Sequence, residues 1–243
     1  MRRVAFALIA SSSLLLGVGA TAGSAQGAPA STVLGSWSDL AGGLPDHKVF
    51  ALVKRGSTLY AGGEFTSAGG KPGTAYVAAW SSVDDTWRSV GGGTNGTVRA
   101  LAITDDTVIA AGIFTAAGGK STASRVAAWS TRDDTWSAFG VGATAAEVLT
   151  LAARSDGRVY AGGTFTAPVT GALYSLRDDT WTAVAGPYSY NRVDALALRG
   201  SATMTSGDDT LFVGGPFNPS PGAFIAALGP TASWAPLGSG LSA

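Results

Sequence analysis

Cysteine is absent from this 243-residue chain, and histidine occurs once, at His47. No disulfide framework, thiolate metal site or cysteine nucleophile can be built without cysteine. One imidazole cannot make a two- or three-histidine metal centre. A Ser-His-Asp triad would rest on His47 alone, and that residue reads as a solvated loop histidine. Charge is also scarce: 13% of the residues are charged, with 16 basic against 16 acidic. Setting aside Arg2 and Arg3 leaves 14 basic and 16 acidic side chains with no basic patch. Nucleic acid and anionic membrane are therefore not expected partners. Beyond residue 30 no apolar run is long enough to span a bilayer. No stretch there sustains a 3.6-residue period either, so no helix is expected.

The first thirty residues stand apart. Arg2 and Arg3 precede an apolar stretch from Val4 to about Gly19, followed by the small-residue sites Ala20-Thr21-Ala22 and Ala28-Pro29-Ala30. That order is a secretory signal peptide, residues 1–30. The expected location is extracellular or at the cell surface. Without disulfides, residues 31–243 have to be stabilised by their own core.

Glycine and periodic aromatics are what the chain has in abundance. Four times it runs through Val-x-Ala-Leu or a close variant, a glycine-containing segment that ends in Phe, an aromatic slot, and a Trp seven residues later. The phenylalanines are Phe65, Phe114, Phe165 and Phe217, spaced by 49, 51 and 52 residues. The tryptophans are Trp87, Trp136, Trp181 and Trp234. Glycine pairs Gly62-Gly63, Gly162-Gly163 and Gly214-Gly215 follow the second strand of three units, and Ala111-Gly112 replaces the pair in the other. Missing side chains at such places let a neighbouring backbone or ring approach closely.

A period near fifty with four short strands per unit predicts an all-β fold. We read it as a β-propeller of about four four-stranded antiparallel blades, at about 49–91, 98–140, 148–186 and 193–238. In the first unit Val49–Val53 is a continuous apolar run, the pattern of a strand buried on both faces. The repeated Trp and Phe residues are read as packing between sheets rather than as sugar platforms. A further copy of the fourth strand, residues 35–40 around Trp37, precedes the first unit. It fits either a compact four-bladed ring with an extra edge strand or an open, truncated array.

The Gly-Gly pair, followed by an aromatic seven residues before a Trp, resembles the kelch motif, as in Trp129-Ser-Thr-Arg-Asp133-Asp134-Thr135-Trp136. The Phe-Thr-x-Ala-Gly-Gly loops at 65–70 and 114–119 are closer still to the Rax2-like repeats of secreted and cell-surface proteins. The resemblance covers about residues 35–240. It implies a propeller and little about function, because one fold hosts many activities. The copper oxidase branch of kelch propellers needs a cysteine and a second histidine, which this chain lacks.

No catalytic, cofactor or metal constellation emerges. Five Asp-Asp pairs, at 84–85, 105–106, 133–134, 178–179 and 208–209, hold ten of the sixteen carboxylates and read as turn formers. Calcium needs more oxygens than Asp-Asp-Thr offers. Glu64 stands at the glycine corner, but its counterparts are Ile113, Thr164 and Pro216. Gly91-Gly92-Gly93-Thr94-Asn95-Gly96 matches a dinucleotide fingerprint by letter only, with no helix behind it. Gly119-Lys120-Ser121 lacks the first glycine of a phosphate loop, and Asn95-Gly96-Thr97 is a glycosylation sequon.

The expected function is a non-catalytic binding or scaffold module, without cofactor and monomeric, that takes a carbohydrate, a cell-wall component or a cell-surface protein. The alternative is an extracellular hydrolase or lyase with carboxylates at the channel mouth. Export itself is open to test. The secreted form should begin between Ala22 and Ala30, as intact-mass measurement would show; an exported chain retaining Met1 to Leu16 would exclude cleavage.

Overall fold

The structure is a computed structural model. It describes residues 39–44, 48–140, 144–154, 156–167, 171–177, 180–184, 189–190, 192–199, 210–218, 225–229 and 234–236. The signal peptide, Trp37, His47 and the Asp pairs at 178–179 and 208–209 lie outside these residues. Among the described residues there is no helix.

Eighteen strands form four similar sheets and a small ribbon. The first blade is β1 (Val49–Arg55), β2 (Thr58–Gly63), β3 (Val77–Ser81) and β4 (Thr86–Ser89), an antiparallel meander in chain order. β5 (Val98–Thr104), β6 (Thr107–Gly112), β7 (Val126–Ser130) and β8 (Thr135–Ala138) repeat it, as do β9 (Thr144–Ala153), β10 (Val159–Ala167), β11 (Gly171–Arg177) and β12 (Thr180–Ala183). β13 (Ser189–Tyr190) pairs with β16 (Phe217–Asn218) as a separate ribbon. The fourth blade is β14 (Ala195–Arg199), β15 (Thr210–Gly214), β17 (Ile225–Leu228) and β18 (Trp234–Pro236).

The aspartate turns hold the hairpins. Asp85 and Asp134 adopt left-handed backbone conformations, with φ of 50° and 52°, which Asp tolerates better than most side chains. From there each carboxylate accepts the indole N–H of the tryptophan in the third strand. Trp80 Nε1 donates to Asp85 at 3.0 Å and Trp129 Nε1 to Asp134 at 3.2 Å. The Asp is thus a turn former that also satisfies a ring nitrogen.

A second set of tryptophans joins one blade to the next. Trp136 is 1% exposed, and Trp87 and Trp181 are each 4% exposed. Trp136 Nε1 donates to Val90 O of the preceding blade at 2.8 Å, and Trp181 Nε1 to Phe139 O at 3.1 Å. Trp87 Nε1 donates to Leu40 O at 2.7 Å, so residues 39–44 hold the place that a preceding blade holds elsewhere. Gly43 O accepts from Gly69 N as Gly93 O accepts from Gly118 N, both at 2.8 Å. The glycine loops after Phe65 and Phe114 fold over the rings of Trp87 and Trp136. A Cβ on Gly118, at φ +55°, would stand 2.8 Å from Trp136 Cδ1.

Apolar clusters fill the spaces between blades one and two, two and three, and three and four. A fourth cluster seals the outer strands of the first blade under Leu40, Ala41 and Leu44. Among the described residues no cluster and no strand pairing joins the first blade to the fourth. One expectation is corrected here. β1 is not buried on both faces: Leu52 is 39% exposed, whereas its counterpart Leu101 is 7% exposed. Leu101 has a blade in front of it, and among the described residues Leu52 has none.

Removing the indole of Trp136 would delete a buried ring and its inter-blade hydrogen bond together. Trp136→Ala should cost roughly 3–5 kcal/mol in urea unfolding; an unchanged midpoint would mean that the ring is not part of the packing.

Candidate functional site

The first strands β1, β5, β9 and β14 are the neighbours that run through the centre of the array. Each is entered by a close backbone approach. A Cβ on Gly63 would stand 2.1 Å from Lys48 O, on Gly112 2.1 Å from Thr97 O, on Gly163 2.2 Å from Glu147 O, and on Gly215 2.4 Å from Arg192 O. No side chain fits there, which explains the second glycine of each pair. The first glycine serves the neighbouring blade: a Cβ on Gly62 would meet Val98 Cγ1 at 2.6 Å, and one on Gly162 would meet Val193 Cγ1 at 2.4 Å. Gly214, the equivalent in the fourth blade, pairs with Ala195 and Ile225.

The same approach produces a bulge. In β1 the register jumps between Val49 and Ala51, leaving Phe50 as the extra residue. Arg99 is the extra residue in β5 and Leu149 in β9. Asp194 stands in the same place before β14, with its N–H bonded to Gly214 O at 2.9 Å. A bulge re-aims the side chain it carries. The x of Val-x-Ala-Leu is therefore the position released from inter-blade packing.

These released residues and the ones just before them form a row. The Arg99 guanidinium lies 4.4 Å above the Phe50 ring, within cation–π range. Arg99 Nε donates to Glu147 Oε1 at 2.8 Å, and both side chains are 29% exposed. Arg192 is paired with Asp194, 2.6 Å from Nε to Oδ1. The hydrogen bond that Arg192 donates to Asp194, then the charges of Asp194 and Glu147, push Arg192 above its ordinary range. At the same end Lys48 Nζ lies 3.2 Å from Glu64. None of these residues repeats from blade to blade, in contrast to the Val, Ala and Leu around them. Sequence reasoning singled out Glu64 alone; the available signal was the one variable letter in an otherwise repeated motif.

The other sequence candidates are placed as follows. Phe65, Phe114 and Phe165 are buried. Phe217 and Trp234 fall in β16 and β18. Gly91 belongs to the packing of Trp136, whose Cδ1 would stand 2.9 Å from an added Cβ, rather than to a phosphate loop. Lys120 donates to Trp136 O at 2.7 Å. The sequon Asn95 has its amide engaged: Oδ1 accepts from Thr115 N and Ala116 N, both at 2.9 Å, and Nδ2 donates to Thr115 Oγ1 at 2.8 Å. Among the described residues no group of three His, Cys, Asp or Glu could hold a metal ion. A cavity of about 40 Å³ lies between the second and third blades beside Arg125, Phe139, Phe165 and Trp181. It has room for a few waters and not for a sugar ring.

Four matching four-stranded sheets packed in sequence, with their first strands innermost, define a β-propeller architecture. The chain belongs to the Rax2 family: the Rax2 C-terminal beta propeller domain matches residues 39–238. No curated protein matches it in sequence. Among solved structures it is similar to the extracellular domain assigned to a one-component system of B. thetaiotaomicron, with TM-score 0.51 and 12% identity over 78% of this chain and 22% of that one. It is also similar to the computationally designed Ika8 protein, with TM-score 0.49 and 15% identity over 81% and 50%. The GH74 xyloglucanase of Xanthomonas campestris follows, with TM-score 0.41 and 14% identity over 78% and 37%. The chain thus spans at most half the length of these structures.

At the opposite end of the first strands, Asp106 accepts from Arg55 and Arg132, and Arg55 Nη1 donates to Thr131 Oγ1 at 2.9 Å. The hydrogen bond from Arg132, then that from Arg55, holds the Asp106 carboxyl below the usual carboxylate range. A carboxylate held low contributes stability above the ordinary range and loses it as pH falls through its lowered value. Asp106→Asn should therefore flatten the acid limb of stability below the ordinary carboxylate range, followed by urea midpoints. The difference should be small, because the group is exposed; superimposable limbs would show that the pairing contributes nothing.

Proposed function

We propose that this chain is a secreted or cell-surface propeller of kelch-type repeats that binds carbohydrate through the row of released side chains, without catalysis. The observation that carries this reading is the unrepeated row Phe50, Arg99, Glu147, Arg192 and Asp194 at one end of four otherwise repeated strands. An exposed aromatic ring beside alternating donors and acceptors suits the apolar face and the hydroxyls of a sugar. The four charges cancel, so a neutral glycan fits without breaking ion pairs, whereas an anion or cation would have to. Fixed arginine–carboxylate pairs also present their hydrogen-bonding groups already ordered, which lowers the cost of binding.

The rival reading, a hydrolase or lyase, draws on the carboxylates Glu64, Glu147 and Asp194 at the same end. Glycoside hydrolysis needs one carboxyl kept protonated as general acid beside an ionised partner. Here each carboxylate faces a cation, Lys48, Arg99 or Arg192, which is the wrong surrounding for that acid. The kelch-type assignment is supported by the Trp129–Asp134–Trp136 hairpin and its indole-to-carboxylate bond.

A glycan array probed with the purified chain, paired with a reducing-end assay on every glycan bound, tests both readings. Binding without release of reducing ends is expected, and Arg99→Ala should weaken it on the order of tenfold or more, about 1.4 kcal/mol, with an unchanged far-ultraviolet spectrum. Release of sugar that Glu147→Gln abolishes would make the protein an enzyme. No glycan bound at all would leave the scaffold role.

A further inference from the structure

The repeat makes it possible to ask, position by position, what covers each blade. Tyr60, Ile109 and Tyr160 occupy one place in the second strand of blades one to three, and all are buried under the following blade. Phe212 occupies that place in the fourth blade and is only half-buried. Ala100 and Ala102 are buried against the third blade, while their counterparts Ala195 and Ala197 are exposed. With Ile225, these residues make an apolar patch on the fourth blade, with the exposed Arg199 on the same face of its first strand. At the other end of the array the uncovered position is Leu52, whose counterparts Leu101 and Leu151 are buried against the blade before them.

We propose that these two end faces bind each other between two copies of the chain, the fourth blade of one copy against the first blade of the other. The surfaces continue an interface already made three times within the chain, with apolar residues at the matching positions except Lys54, which stands where Ile103, Ala153 and Leu198 pack. The outer strands of the first blade are already sealed by residues 39–44, so the second copy has to cover only the inner half around Leu52. Such a contact is head-to-tail and must either close into a ring or grow as a filament. The described blades of two copies number eight, within the four to eight that close a propeller. This proposal is independent of the ligand reading and departs from the monomer expected from the sequence.

The repeat also says how this contact compares with those inside the chain. Arg55 reaches Asp106 and Thr131 of the next blade. Its counterpart in the fourth blade is the exposed Arg199, and the places of Asp106 and Thr131 on the first blade are held by Ser57 and Ser82. The copy-to-copy contact therefore lacks the ion pair that joins the first two blades, as does the contact between the second and third, where Thr104 stands in the place of Arg55. Supplying the carboxylate, with Ser57→Asp, should tighten it.

Light scattering and sedimentation of the purified chain at tens of micromolar, about 6–7 kcal/mol of association, should show a dimer. Leu52→Arg and Phe212→Arg should each be monomeric with the wild-type far-ultraviolet spectrum. An equimolar mixture of the two should dimerise again, because one intact pair of faces remains. Ser57→Asp should lower the dissociation constant about tenfold, and added salt should reverse that gain. A wild-type chain and Ser57→Asp variant that both stay monomeric would overturn the proposal. So would a Leu52→Arg variant that dimerises normally, a mixture without rescue, or open polymers in place of a closed dimer.

Discussion

An indole N–H reaching across to the carbonyl of the blade before it is the contact on which the rest of this structure depends. A meander of four short strands has two apolar faces and cannot bury either alone. Trp136 and Trp181 anchor one sheet to the next at a fixed point, Val90 O or Phe139 O, and their rings fill the gap. A buried ring nitrogen without an acceptor would cost about 1–3 kcal/mol, offsetting much of what the ring gains. The acceptor has to come from the loop after the previous fourth strand, so spacing of strand, loop and tryptophan is coupled along the whole repeat. That coupling is why the period is kept while strand residues drift.

Glycine is the second constraint, and it acts in two directions. Gly62 and Gly162 leave room for a valine of the next blade, while Gly63, Gly112, Gly163 and Gly215 leave room for the backbone of their own blade's first strand. The second approach forces the bulge, and the bulge frees one residue per blade from packing. Structure and variability are thereby separated within four letters. Val, Ala and Leu pack blades together, and the residue between Val and Ala is available for recognition. Phe50, Arg99, Leu149 and Asp194 share nothing chemically because nothing in the sheet requires them to.

The two ends of the array are not equivalent. Residues 39–44 repeat the geometry of residues 90–93, with Leu40 and Gly43 in the places of Val90 and Gly93. They cap the first blade, as terminal repeats of stacked proteins commonly do. The fourth blade has no such cover among the described residues, and its exposed alanines are those that lie buried elsewhere. Among the described residues, four similar repeats thus give one face sealed over its outer strands, one open face and one row of unlike side chains.

Much of this was legible from residue spacing. The all-β class, the four-stranded unit, the aspartate turns and the importance of the tryptophan and glycine positions all follow from what repeats, because packing repeats with it. Trp87, Trp136 and Trp181 could be picked from the sequence for that reason. What could not be read there is anything that depends on a neighbour being present. Val49–Val53 and Val98–Ala102 look alike as strings, yet Leu52 is exposed and Leu101 buried, since burial belongs to the pair of blades and not to the strand. The pairing of Arg99 with Glu147, 48 residues apart, likewise exists only once two first strands lie side by side. By itself the sequence determined the blade, through local periodicity and backbone sterics. Tertiary structure alone decided which blade faces are covered and which charges meet, because those are long-range contacts between units whose local patterns are the same.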